Sequence, residues 1–364
     1  MVLTIDFFNE KAPGKGTKYI VSKHLDLIVR NIVQDVQLFS LKQNLKERTL
    51  CQLYNLIVCA EEKIKPHCTE ILRNVVYKYI LDEDPEIATR VYRIAELLGF
   101  HVQTDYLLPL MISHLTDSES KNVPRFVASG LTAFSAVIHH STQKYPDQLD
   151  SFMEKLINLI VSGDFLFNEN PEVLERVLLV TQNLIDAAGP SCKAYQHSLF
   201  KILLQLGSIP QMAAHTARVD QSIETLAKNC EIDTSSDLFS IELAALLDEM
   251  KESYEQWDKN TPERFIFDML VRRSQTAVVD YWETILMIVA SNVEDDKDYE
   301  LKMDMLNLVE HFLVTKELHS TIVYYSEILL KMILIPASAW RVGKPNVRIR
   351  KAAIVCIIRL LEQQ

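Results

Sequence analysis

Near the N-terminus, the run Gly14-Lys15-Gly16-Thr17-Lys18 has the residue types of a phosphate-binding loop. Glycines would let backbone N–H groups approach a phosphate, and the lysine and threonine would contact it. The run lacks the G-x-x-x-x-G-K-[ST] spacing, and no apolar strand leads into it. We therefore interpret it as an exposed turn and expect no nucleotide cofactor.

The adjacent pair His139-His140 is the next candidate, because imidazoles bind metals. Neighbouring residues point to different sides of a helix, and no Cys, Asp or Glu stands four residues further on. A helix C-terminus, where an imidazolium suits the dipole, is the better interpretation. No Gly-rich turn presents a nucleophilic serine either. The sequence thus predicts no catalytic residues, no metal site and no enzyme.

Composition and charge narrow the possible environments and partners. The net charge of −11 argues against a nucleic-acid binder. The longest apolar runs fall well short of the ~20 residues that span a bilayer, and an acidic residue interrupts the N-terminus before any signal-like stretch. The six cysteines form no Cys-x-x-Cys pair, which favours free thiols in the cytosol. We expect a cytoplasmic protein without membrane contact.

Spaced prolines indicate the architecture that must carry any site. Pro85, Pro124, Pro171 and Pro210 lie 39, 47 and 39 residues apart, and each precedes a long apolar helical pattern. Proline suits the first turn of a helix, because its missing N–H has no helical partner there. A period near 40 residues with two helices per unit predicts an all-α fold, an α-solenoid of HEAT-type antiparallel helix pairs.

We expect about seven to eight repeats along the chain. Residues 1–207 would hold the first repeats behind an irregular N-terminal segment, and residues 208–364 would continue the same solenoid. Residues 231–237 read as an acidic loop, with Ser236 or Asp237 as the cap of the helix that follows. The last predicted helix has no second helix, which predicts a truncated final repeat within a longer protein.

The C-terminal end carries the most suggestive charge pattern. Residues 341–364 contain six basic residues and one acidic residue. Lys344, Arg348 and Lys351 fall on one side of the last helix, and we call them the basic stripe. The stripe could bind an acidic partner, or its long stems could cover apolar surface between repeats. Trp340 is predicted to be a buried packing anchor between the seventh repeat and the last helix.

The same end of the chain resembles a known family. Within residues 334–356, seven positions are similar to the dynein axonemal assembly factor 5 family of HEAT-repeat proteins: Trp340, Gly343, Lys344, Arg350, Ala352, Ala353 and Cys356. Residues 95–99, 261–263 and 295–302 are also similar, in the same order. The family's Ala- and Gly-rich basic turn is replaced here by Lys344-Pro345-Asn346-Val347. The similarity would correspond to the C-terminal portion of the family protein.

The resemblance implies a cytoplasmic, non-enzymatic factor that pre-assembles axonemal dynein arms for motile cilia. Its partners would be dynein heavy or intermediate chains and chaperone-linked assembly factors. Two other classes stay open: a general HEAT adaptor, of the transport-receptor or phosphatase-scaffold type, and a TOG-like tubulin-binding array. The turns at residues 61–65, 101–103 and 144–146 show no aligned basic line, which disfavours tubulin.

Overall fold

The fold is all-α. A computed structural model of the chain describes residues 13–37, 43–118, 121–144, 146–162 and 165–363. Most of these residues are helical, and no β-strand occurs among them. The predicted HEAT-type solenoid is therefore confirmed. The chain divides into two compact units, Met1–Tyr195 and Gln196–Gln364. The division predicted near residue 207 stays a prediction.

The first unit consists of helices joined by short turns. Residues 1–12, most of the predicted irregular segment, lie outside the described residues. The longer helices are α1 Lys15–Lys23, α2 Leu25–Gln37, α3 Gln43–Ala60, α4 Pro85–His101, α5 Thr104–Thr116, α6 Pro124–Lys144, α7 Pro146–Ser162 and α8 Pro171–Ala188. Shorter segments are the 3-10 helices Glu61–His67, Phe165–Phe167 and Gly189–Tyr195, and the helices Cys68–Ile71 and Tyr77–Tyr79, which flank a π-helical turn at Leu72–Val76.

Local chemistry explains why two helices of this unit, α4 and α8, begin at prolines. Pro85 opens α4, and the Asp84 carboxylate accepts a hydrogen bond from the Glu86 backbone N–H at 2.9 Å. At α8, Asn170 caps Glu172 with the same geometry, one residue before Pro171. Each cap satisfies an N–H that the helix leaves unpaired, and proline removes another.

The core of the first unit lies where α3, α4, α6 and α8 pack in sequence. Gly99 on α4 is the point of closest approach. A Cβ at this position would lie 2.5 Å from the Val137 carbonyl oxygen on α6. The two backbones therefore meet so closely that only glycine fits between them.

The second unit continues with helices of similar length. They are α9 Gln196–Ser208, α10 Thr216–Asn229, α11 Ser235–Met250, α12 Glu263–Arg273, α13 Trp282–Ser291, α14 Tyr299–Val314 and α15 Lys344–Glu362. Between them lie the 3-10 helices Pro210–His215, Tyr254–Gln256, Gln275–Tyr281 and Lys316–Leu318, and short helices at His319–Tyr324, Ser326–Ile328 and Ile335–Ser338, the last two flanking a π-helical turn at Leu329–Leu334.

Two sequence predictions in this unit need correction. Pro210 opens a 3-10 helix rather than an α-helix, and α10 begins only at Thr216. The cap of α11 is Thr234, not Ser236 or Asp237, because the Thr234 hydroxyl accepts from the Asp237 backbone N–H at 3.1 Å. A β-region backbone at Thr234 lets the helix start at Ser235, earlier than the apolar pattern indicates.

Two acidic residues of α11, Glu242 and Glu249, are bound within the unit. Glu242 on α11 is buried, and it accepts hydrogen bonds from Gln196 at 2.6 Å and from His197 Nδ1 at 2.6 Å. The other imidazole nitrogen lies 2.8 Å from Glu249. Hydrogen bonding to Glu242, then to Glu249, raises the pKa of His197 above its ordinary value despite partial burial. These acids therefore link α11 to α9.

Two further observations concern membranes and thiols. Among the described residues no single helix is long and apolar enough to cross a bilayer, although the pair Lys316–Tyr324 and Ser326–Ser338, bent by 75°, meets the length and composition requirement together. All six cysteines are free thiols.

Candidate protein-binding surface

Helix α15 has one buried side, which docks it onto the rest of the second unit. Ile349, Ala353, Cys356 and Leu360 recur at helical spacing and are buried. The Cys356 thiol points to the Leu306 carbonyl of α14 at 3.8 Å, and burial raises its pKa to about 12. This side fixes the orientation of the helix, and therefore decides which residues face outward.

The basic residues of residues 341–364 fall into separate groups. Arg341 pairs with Asp295, and Arg359 pairs with Glu310 at 2.8 Å. These two arginines therefore tie α15 and its preceding loop to α14 and to the turn before it. They are structural ion pairs, which distinguishes them from the basic stripe; the sixth basic residue, Arg350, is only half-exposed.

Lys344, Arg348 and Lys351 are all exposed. At 100° per residue they lie within about 60° of one another and on the side of α15 opposite its buried residues. In the described part of the chain, none of the three makes an ion pair. The structure thus brings the predicted stripe together on a free side of the helix; its role in binding stays a prediction.

The position of Lys344 bears on why the stripe is basic. It is the first residue of α15, where the helix dipole places partial positive charge. A lysine there is unfavourable for the helix, and no acidic residue occupies the first turn. Helix stability therefore does not account for this charge.

Trp340 is not the buried anchor that the sequence predicts, because its side chain is 73% exposed. The helix Ile335–Ser338 ends at Ala339, whose extended backbone (ψ 140°) leads the chain away from the core. Gly343, at φ 114°, then turns it into α15. The indole therefore lies on an exposed loop beside Val342, while Ile333 and Leu334 are buried near this junction.

Sequence reasoning missed a second exposed group on α15. Four large apolar side chains lie next to the basic stripe, and we call them the outer apolar face: Val347, Ile354, Ile358 and Leu361. The sequence did contain a signal for this group, because α15 has apolar residues along two sides of the helix rather than one. The two groups form a basic and apolar surface on α15 that is suited to protein contact.

The other residues singled out for chemistry do not form a site. Lys15 to Lys18 lie in α1 rather than in a turn, and Lys18 pairs with Glu61 at 2.6 Å. His139 is exposed on α6, which continues to Lys144, so the pair does not end the helix as predicted. The side chain of His140 lies outside the described residues. Within the described ranges, no three His, Cys, Asp or Glu side chains are grouped to hold a metal.

Comparison with known protein families shows which family the chain belongs to. The model of the dynein axonemal assembly factor 5 HEAT-repeat domain matches residues 8–210, more than half of the sequence. The chain belongs to this family.

Relatives in the dynein axonemal assembly factor 5 family cover nearly all of the chain. The mouse protein is 23% identical over 359 residues, which are 97% of this chain and 40% of the mouse protein. The Homo sapiens protein is 22% identical over 98% of this chain and 41% of its own length. The chain therefore spans about two-fifths of the length of these curated relatives.

Solved structures with some similarity include two of Kap121p. A Kap121p mutant aligns over 93% of this chain and 34% of its own, with a TM-score of 0.49 and 12% identity. The karyopherin Kap121p bound to the SUMO protease Ulp1p aligns with a TM-score of 0.48 and 11% identity, over 93% of this chain and 34% of that one.

Proposed function

We propose that the chain is a non-enzymatic scaffold that acts in the cytoplasm in the pre-assembly of axonemal dynein arms. Family membership supports this proposal, because the relatives are named as dynein axonemal assembly factors. Its partners would be dynein chains together with other assembly factors and chaperones. Neither a nucleic acid nor a membrane is among the proposed partners, given the net charge of −11.

The observation that carries the binding part of the proposal is the set of unpaired charges on α15. Lys344, Arg348 and Lys351 share one exposed side, whereas Arg341 and Arg359 are held in ion pairs. Exposed cations without acidic neighbours attract an acidic surface over the distance set by salt screening. We assign the stripe the role of recognising acidic surface on a dynein chain.

Trp340 is a second contact residue in this proposal. Its indole is exposed only four residues from Lys344, and a glycine turn fixes the backbone between them. Binding energy at interfaces concentrates in a few tryptophan, tyrosine and arginine side chains. The exposed indole would provide an apolar anchor, and the basic stripe that begins four residues later would provide the charges that orient a partner.

Affinity capture from a lysate of ciliating cells tests this function. The chain is used as bait, and dynein chains, tubulin and cargo of transport receptors are quantified in parallel. We expect dynein chains to be enriched over the other two, and their recovery to fall as ionic strength rises. The control bait is an unrelated helical-repeat protein of similar net charge.

The same experiment separates the alternatives. Preferential recovery of tubulin would support a TOG-like array, and preferential recovery of transport cargo would support a general adaptor. Either result would contradict the assembly function. Recovery of dynein chains that is insensitive to salt would contradict the assignment of the basic stripe while leaving the assembly function standing.

A further inference from the structure

A groove in the second unit lies on elements other than the basic stripe. It has a volume of about 460 Å³ and lies between the 3-10 helix Tyr254–Gln256, helix α13 and the segment that contains the π-helical turn Leu329–Leu334. Its wall is partly apolar and partly acidic, and we call it the acidic groove. Neither the family affiliation nor the proposed function assigns a role to it.

The floor and walls of the groove are apolar and adaptable. Leu286 is buried beneath it, and the small side chain of Ala290 leaves space above the helix. Met287, Ile328 and Met332 line it although they are 46%, 45% and 59% exposed. Methionine side chains adjust to differently shaped apolar groups. The groove can therefore hold a few apolar side chains of a short segment.

Three carboxylates surround these apolar side chains. Glu255, Glu283 and Glu294 all line the groove and all are exposed. In the described ranges none of them forms an ion pair with a lysine or arginine. Two lysines close in sequence to the groove residues contact other groups: Lys331 pairs with Glu327, and Lys297 donates to the backbone carbonyls of Glu255 and Trp257.

Two tyrosines hold two of the acidic side chains in place. The Tyr325 hydroxyl donates to Glu283 at 3.3 Å, and the Tyr254 hydroxyl donates to Glu255 at 3.4 Å. Each carboxylate accepts several hydrogen bonds, so both keep free lone pairs for a ligand. The groove is thus negatively charged and preorganised.

We propose that the acidic groove binds a peptide segment in which apolar side chains are flanked by lysine or arginine. The three glutamates around the groove favour a positively charged partner. The apolar floor disfavours a segment that has basic residues but no apolar ones. This partner is opposite in charge to the one assigned to the basic stripe, so the inference does not rest on the proposed function. Either can fail while the other stands.

The test uses synthetic peptides and the full chain. The probe is a fluorescein-labelled 15-residue peptide with leucines at helical i, i+3 and i+4 spacing and lysines and arginines beside them. One comparator has glutamate at every basic position, and a second has serine at every leucine. Fluorescence anisotropy at several ionic strengths measures binding. We expect the probe to bind at least about tenfold more tightly than either comparator, and less tightly as salt rises.

Variants of the chain locate the binding. Combining Glu283→Gln with Glu294→Gln should lower the affinity for the probe peptide about five- to tenfold. Met332→Ser should lower it about threefold. The control combines Glu224→Gln with Glu300→Gln, which removes two exposed charges of the same unit outside the groove and should leave affinity within about twofold. Unchanged melting by circular dichroism shows that each variant is folded.

Four results would overturn the proposal. These are equal binding of the glutamate peptide, equal binding of the serine peptide, unchanged affinity in the double groove variant, and a loss in the control as large as in the groove variant. Sedimentation velocity adds a fifth: a dimer that Met332→Glu dissociates would mean that a second copy of the chain covers the groove.

Discussion

Two regions of the molecule follow the same helical pattern but differ in how many of their large apolar side chains are exposed. Along residues 85–188, only Val123 and Val161 are large, apolar and exposed among the described side chains. Along residues 314–361 there are twelve: Val314, Val323, Tyr324, Ile328, Met332, Ile335, Trp340, Val342, Val347, Ile354, Ile358 and Leu361. Helices α4 and α6 have packed neighbours on more than one side, whereas the outer side of α15 has none in the described structure.

This difference in exposure shows that an apolar stripe on a helix predicts that the helix makes a contact there. It does not predict which element or protein makes that contact. In the first region the stripes pack against neighbouring repeats, so they contribute to stability. In the second region the same kind of stripe is exposed in the described structure, which does not show what covers it. Perturbation should therefore affect stability in the packed positions and binding in the exposed ones.

Two of the three tryptophans of the second unit, Trp282 and Trp340, give the sharpest test of this contrast, beginning with the buried Trp282. Trp282 is 1% exposed, and its ring centroid lies 4.8 Å from that of Phe312. Trp282→Ala should lower the free energy of unfolding by about 3–5 kcal/mol, because it removes buried area and leaves a cavity. Urea unfolding followed by circular dichroism measures it. If the free energy of unfolding fell by less than about 1 kcal/mol, the buried Trp282 would not stabilise the unit, and the contrast with Trp340 would be contradicted.

The next largest effect is expected at the closest helix contact of the first region. Gly99→Ala places a Cβ 2.5 Å from the Val137 carbonyl oxygen, so α4 and α6 must move apart. We expect a loss of about 1–3 kcal/mol in the free energy of unfolding. Gly16→Ala is the matched control, because nothing lies within 4 Å of its Cβ and alanine favours the helix. Equal effects of the two substitutions would contradict the close packing.

A polar contact between helices should have a smaller and pH-dependent effect. The hydrogen bond to Glu242, the largest cause, raises the pKa of His197. The stabilisation is therefore complete below the ordinary histidine pKa of about 6.5 and is lost as pH rises through the higher folded value. His197→Gln should remove this dependence, with a loss at low pH of about 1 kcal/mol or less because the pair is partly exposed.

The difference between wild type and His197→Gln across this pH range isolates the contact. Burial lowers the pKa of His114 and His311, and both are retained in the variant, so their opposite dependence cancels. If the difference in the free energy of unfolding between the two proteins grew toward high pH, the contact would not raise the pKa of His197, and the prediction would be wrong.

The smallest effect on stability is expected at Trp340. Since its side chain is 73% exposed, Trp340→Ala should change the free energy of unfolding by less than about 0.5 kcal/mol. Recovery of dynein chains in affinity capture should nevertheless fall, because the indole is assigned to the contact. A clear drop in melting temperature would place Trp340 with the packed positions and weaken the contrast between the two regions.

How far the sequence predicts the molecule differs among these elements. The prolines and caps at Pro85 and Pro171 predict helix starts correctly, because the capping interaction is local. The exposure of Trp340 could not be predicted, since it depends on the backbone at Ala339 and Gly343 rather than on the residue type. The acidic groove could not be predicted either, because Glu255 meets Glu283 and Glu294 only through packing of the 3-10 helix Tyr254–Gln256 near α13.

The measurement that tests the account most directly compares charge reversals in the two compact units. Lys344→Glu, Arg348→Glu and Lys351→Glu are combined in one variant, and Arg48→Glu, Lys78→Glu and Lys121→Glu in the control. All six residues are exposed, and the described structure gives none of them an ion pair. Capture of dynein chains and thermal melting are measured for both. The account predicts that only the first variant loses capture, with melting unchanged. Full capture by that variant, or equal loss in both, would contradict it.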